Sequence, residues 1–179
     1  MATPPTFSSG QVLTSSAMNS VGLWLVKTQT IGSAVSSVSV TGAFSADYDN
    51  YLITVSGGVG STGTFFKMTL GASVTGYYQA RNGLLYSTGA RSDGTDNNAA
   101  AWTAVGSVST NGLSMYLSIN NPFLAKYTQQ SGNYFGSTSA VIQAGEHQVA
   151  TSYSSFAIAP LSGTVTGGTI AVYGYKGTV

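Results

Sequence analysis

Cysteine is absent from this 179-residue chain. Its absence excludes disulfide staples, thiolate metal sites and a cysteine nucleophile. Charge is nearly as scarce: Asp, Glu, Lys and Arg make up 6% of the residues, against about 25% in ordinary soluble domains. Ser, Thr, Asn, Gln and Gly must therefore wet the surface. The six basic residues, Lys27, Lys67, Arg81, Arg91, Lys126 and Lys176, stand singly, and the net charge is +1. With no basic stripe to neutralise phosphates, nucleic acid is not an expected partner. No basic amphipathic helix offers a membrane surface contact, and no apolar run approaches the ~20 residues of a spanning helix. The opening MATPPTFSSG has neither a basic start nor an apolar run. It does not read as a secretory signal, so synthesis and assembly in a cytoplasm are expected.

What fills the chain instead is short apolar–polar alternation cut by Gly, Ser, Thr and Asn, the mark of strands and turns. Val35, Val38 and Val40 form one β-branched run. Tyr51–Val55 ends at Gly57 and Gly58, and Thr64–Leu70 ends at Gly71. Tyr77–Ala80, Trp102–Val108 and Leu113–Ile119 follow, the last stopped by Pro122, which cannot donate to a ladder. Ala140–Gln143, Gln148–Tyr153, Ser155–Ala159 and Thr169–Tyr175 complete the expected strands. Roughly nine to eleven strands at this spacing predict an all-β, antiparallel β-sandwich. Leu84–Ala100, with its SDGTDNN, reads as a long exposed loop. The only helical candidate is Ser15–Val21, capped by Thr14 or Ser15 and closed by Gly22. Residues 1–27 read as an N-terminal attachment arm carrying that helix, and 28–179 as the sandwich.

The catalytic inventory is short: one His (His147), one Glu (Glu146) and four Asp (Asp47, Asp49, Asp93, Asp96). Glu146 and His147 are adjacent, so a strand would point them to opposite faces. No Ser sits in a G-x-S-x-G elbow. Asp47 and Asp49 in SADYDNY could pair for acid–base work or Ca²⁺, but Asp and Asn also build turns, and a turn into the Tyr51 strand is the preferred reading. Asp93–Asn98 lacks the spacing and closing Glu of a calcium loop. SGGVGSTG and VTGGT open no helix that could cradle a phosphate, so they read as hairpin turns. The expectation is a protein that is not an enzyme and has no metal or other cofactor. Eleven Tyr offer rings with a polar tip, suited to core packing, subunit contacts or sugar faces. Tyr77, Tyr78, Tyr86, Trp102 and Tyr134 are the candidates for a glycan or oligomer interface.

Four segments carry a family likeness. TFSSGQVLTSSAMNSVGLW resembles the start of many tailed-bacteriophage virion proteins. FSADYDNYLITVSG, Asn120–Phe123 and SGTVTGGTIAVYGYK are similar to strand entries and closures in the same group. The resemblance implies a jelly-roll-like sandwich, usually a homotrimer, on the virion exterior and without enzyme activity. It spans fibres, adaptors and capsid decoration proteins alike. The expected function is therefore a virion structural protein that docks on another virion protein through its arm. Phe7, Val12, Leu13, Met18 and Trp24 are the expected apolar anchors. A carbohydrate-recognition module for host surface glycans is the alternative.

Overall fold

The structure is a computed structural model, and it describes residues 9, 10, 12 and 22–175. The described chain is all β. Its strands are β1 (Trp24–Thr30), β2 (Val38–Val40), β3 (Asn50–Ser56), β4 (Val59–Gly60), β5 (Thr64–Leu70), β6 (Tyr77–Leu85) and β7 (Arg91–Ala99). There follow β8 (Trp102–Ser109), β9 (Gly112–Asn120), β10 (Thr128–Phe135), β11 (Ser139–His147), β12 (Phe156–Pro160), β13 (Val165–Thr166) and β14 (Thr169–Tyr175).

Every pairing is antiparallel, and the strands form the expected sandwich. One large sheet runs β1-β14-β3-β9-β10-β11-β6-β7, and the facing sheet runs β2-β12-β5-β8. Strand β9 belongs to both. Its residues Gly112–Ser114 pair with β8, while Met115–Asn120 pair with β3. The period-2 pattern of β9 makes this sharing favourable: Leu113, Met115, Leu117 and Ile119 all point inward and are buried. Between the sheets lie Tyr51, Ile53, Phe66, Met68, Trp102 and Phe156, among others, each almost fully buried. Burial of each such side chain contributes roughly 1.5–3 kcal/mol before conformational entropy is subtracted. Phe44 meets Tyr51 edge-on at 4.8 Å, and Tyr77 meets Trp102 edge-on at 5.2 Å.

The two glycine-rich stretches are turns that meet backbone to backbone. Gly58 has φ +68°, and a Cβ there would collide with the Gly167 carbonyl. The small ribbon β4–β13 and the ends of β3 and β14 come together at this crossing. Glycine is required here for both backbone conformation and space. Asp47 likewise lies in a turn: its carboxylate accepts a hydrogen bond from Ser45 Oγ at 3.0 Å.

Three sequence expectations change. Arg91–Ala99 is no loop but the edge strand β7, laddered to β6. At the rim it is largely exposed, so no apolar alternation announces it. Thr128–Phe135, unassigned from sequence, is strand β10. Its inward side chains are Thr128, Gln130 and Tyr134, and polar inward residues hide the period. Gln148–Tyr153 is not a strand but a connection, tied down by Gln148 N–H to Gly76 O and Tyr153 N–H to Pro122 O. The expected boundary at residue 27 falls inside β1, whose Trp24 already pairs with Gly174. The expected helix Ser15–Val21 lies outside the described residues.

Candidate functional site

The pleat of β6, β11 and β10 sends alternate side chains to two different environments. Inward, the layer against β8 is polar for a sandwich core. Gln79, Gln130, Gln143, Thr128 and His147 are all buried. Gln79 bridges the sheets: its Nε2 donates to Ala104 O at 3.1 Å and to Gln143 Oε1 at 2.8 Å, and its Oε1 accepts from Ala104 N–H at 3.1 Å. The amide thereby serves Ala104 as a neighbouring strand would. It is needed because the β5–β8 register shifts between Phe66 and Met68. Gly145 and Gly132 leave room for this layer: a Cβ on Gly145 would press on Gln130 and the Trp102 indole, and one on Gly132 would press on Gln143.

His147 sits at the end of this layer, fully buried. Its ring stacks on Tyr77 at 4.2 Å, and its Nε2 shares a 2.8 Å hydrogen bond with Tyr153 Oη. Burial pushes its pKa below the ordinary 6.5; the nearby Gly76 backbone offsets this only in part. Among the described residues Nδ1 has no hydrogen-bond partner, and neither a serine nor a carboxylate among them completes a relay with this ring. Glu146 points to the opposite face, as the strand alternation predicts. Burial also raises the Tyr134 phenol to about 12, with Arg81 nearby opposing the shift. Among the described residues no group of three or more His, Asp or Glu is placed to hold a metal ion. No helix of the described residues is long and apolar enough to cross a membrane.

The burial just described corrects part of the expected interface. Tyr77, Trp102 and Tyr134 are each 0% exposed. Their rings form the core and cannot meet a sugar or a second subunit. Tyr78 is half-buried on the outer face and Tyr86 is exposed, so these two remain surface candidates. Of the expected anchors, Phe7, Leu13 and Met18 lie outside the described residues. Val12 is 83% exposed. Trp24 is half-buried in β1 and belongs to the sandwich.

On the outer face the ladder registers arrange side chains in rows across the strands. Tyr78, Glu146, Gln129 and Asn120 form one row. Ala80, Ala144, Ser131 and Ser118 form the next, and Asn82, Ile142, Asn133 and Tyr116 the third. The small middle row leaves a furrow between taller walls. Its larger hollow, about 700 Å³, extends from Tyr78 and Glu146 to Thr95 and Asn97 of β7. A second, about 440 Å³, shares Ala80, Thr95 and Ala144 with the first and reaches Asn82 and Ile142. Glu146 is held in place within this furrow: Gln129 Nε2 donates to Oε1 at 3.3 Å and Gln148 Nε2 to Oε2 at 3.0 Å.

Beyond the third row the same face turns apolar. Leu84, Ala140 and Phe135 lie side by side, and Leu84, Phe135 and Ile142 are 52%, 62% and 67% exposed. Of these residues, Tyr78 was expected at an interface and Glu146 stood only in the catalytic inventory; the others had no expected place in a site. The one legible signal was the alternation in Ala140–Gln143, which places Ile142 opposite Val141. No protein-family model, curated protein or solved structure matches this chain.

Proposed function

We propose that this protein is a non-enzymatic structural subunit of a tailed-bacteriophage particle, self-associating through its sandwich and docking on another virion protein through its N-terminal segment. The observation that carries the self-association is the apolar corner of Leu84, Phe135 and Ile142 on a chain with 6% charged residues. Contiguous exposed apolar side chains on a soluble protein mark contact surfaces. Charge depletion and aromatic enrichment are also what the centres of subunit interfaces have in common. The second copy is the occupant that suits this corner, because a neutral, apolar surface is complementary to itself. A trimer on the virion exterior is what the resemblance in TFSSGQVLTSSAMNSVGLW and its companion segments implies. Buried His147 without a relay and a turn-bound Asp47 fit a role without catalysis.

Native mass spectrometry and light scattering test the self-association. The wild type is expected at three times the chain mass, and Leu84→Glu with Phe135→Glu is expected to run as a monomer with an unchanged circular dichroism spectrum. A wild-type monomer at high concentration would overturn it. The docking role is read separately: deletion of residues 1–22 is expected to leave a folded sandwich that no longer enters particles. Normal incorporation of the truncated chain would refute that role.

A further inference from the structure

We propose that the furrow on the outer face of β6, β11, β10 and β9 binds a neutral saccharide, with Glu146 and Tyr78 as its principal contacts. This goes beyond the assembly role; of the apolar corner only Ile142 is shared, at the far wall of the furrow. Four features of the site point to this ligand class.

The first is chemistry. The walls carry the amides of Gln129, Asn120, Asn82 and Asn133, which offer both donors and acceptors. A hydroxyl likewise donates and accepts, so an amide-lined furrow matches a polyol better than it matches an anion or an apolar ligand. The second is preorganisation. The Glu146 carboxylate is oriented by Gln129 and Gln148 from either side. It keeps further lone pairs for sugar hydroxyls, and charge-assisted bonds of this kind are roughly twice as strong as neutral ones. Little side-chain entropy is lost in using a group already held.

The third is shape. The floor of Ala80, Ala144 and Ser131 crosses the strands, and neighbouring strands lie about 4.8 Å apart, so the furrow from β7 to β9 is about 19 Å long. It is open along this length, which suits a stretch of an extended oligosaccharide rather than a compact metabolite. Tyr78 on one wall and Ile142 and Tyr116 on the other offer surface to the C–H faces of the rings. The fourth is electrostatics. Glu146 lies in the furrow and Asp93 at its edge, and Arg91 is already paired with Asp93 at 3.2 Å. Arg81 also lines the second hollow, but its guanidinium is turned to Thr103 Oγ1 and the Phe65 ring, so an acidic sugar beside Glu146 meets like charge, which costs affinity across an interface.

The test begins with a printed panel of neutral, N-acetylated and sialylated oligosaccharides. Titration calorimetry of the strongest uncharged hit follows, with the full chain and three variants. Uncharged glycans are expected to bind and sialylated ones to be rejected. Glu146→Gln and Tyr78→Ala are each expected to weaken the hit about tenfold or more, the scale of one hydrogen bond to a charged group. Ser131→Trp, which fills the exposed floor, is expected to abolish binding while the thermal transition stays in place. Absence of any uncharged hit, preference for sialylated glycans, or affinity unmoved by all three substitutions would each overturn the proposal. The oligomer mass of the same samples is expected to be unchanged, which separates a failure of sugar binding from a failure of assembly.

Discussion

Replacing Gln79 by Met should be among the costliest near-isosteric changes in this protein. The side chain is 4% exposed and makes three hydrogen bonds, two of them to the backbone of Ala104. Methionine keeps the length and most of the volume, so the cavity contribution is small. What changes is polarity. The Ala104 N–H and C=O lose the partner that stands in for a strand, and each orphaned buried group costs about 1–3 kcal/mol. The expected loss is therefore about 2–6 kcal/mol, before the Gln143 carbonyl, which also loses a donor, is counted. For a domain of this size that corresponds to a melting temperature lower by about 2–4 °C per kcal/mol.

Equilibrium urea unfolding reads the loss as a shift in midpoint at an unchanged slope. Gln79→Glu supplies a second reading. A carboxylate could still accept from Ala104 N–H but would face the Ala104 and Gln143 oxygens without a proton, so at neutral pH it should be worse than Met. Gln129→Met, on the outer face, serves as the control, with a change within about 0.5 kcal/mol. A loss below about 1 kcal/mol for Gln79→Met would refute the reasoning, because it would mean that Ala104 is satisfied elsewhere.

Gly145→Ala should destabilise by about 1–3 kcal/mol or more, since its Cβ would meet the Tyr78 carbonyl and lie 2.7 Å from Gln130 Nε2 and 3.0 Å from the Trp102 indole nitrogen. Thermal melting checks this, and an unchanged transition would count against the close packing of β6, β11 and β8. Stability should also fall on acidification. His147 has its pKa lowered from 6.5 by burial, so below pH 6.5 the unfolded chain takes up a proton that the folded chain refuses. The contribution of the neutral ring is thus complete above 6.5 and is lost as pH falls towards the folded value, with a slope of at most about 1.4 kcal/mol per pH unit. Unfolding midpoints across this range, compared with those of His147→Phe, measure it; equal slopes for the two proteins would exclude His147 as the source.

Much of the fold was legible because apolar alternation follows directly from one buried sheet face. Tyr51–Val55, Thr64–Leu70, Leu113–Ile119 and Thr169–Tyr175 all lie in strands at or near their expected bounds. The signal failed where the buried face is polar or where neither face is buried. Gln130 and Thr128 make β10 look like a loop, and Asp93 and Asn97 do the same for β7. For β7 the ladder to β6 and the Asp96–Thr103 hydrogen bonds to β8, and for β10 the ladders to β9 and β11, replace the hydrophobic pattern as the reason to be a strand. Gln148–Tyr153 failed in the opposite sense: its alternation is real, but Tyr153 is buried to meet His147 rather than to pack a sheet.

The sequence by itself determined the class of structure and the scarcity of chemistry. Strand periodicity, frequent turn residues, no cysteine, and a single His and Glu are local or compositional facts, and no folding is needed to read them. Only the tertiary structure decided which aromatic rings are available. Tyr77 and Tyr78 are neighbours in sequence, yet one is sealed against His147 and Trp102 and the other faces the furrow. Ladder register alone brings Tyr78, Glu146 and Gln129 into one row from three separate strands. Register depends on which strands pair across long stretches of chain, and period-2 alternation within each strand carries no record of that choice.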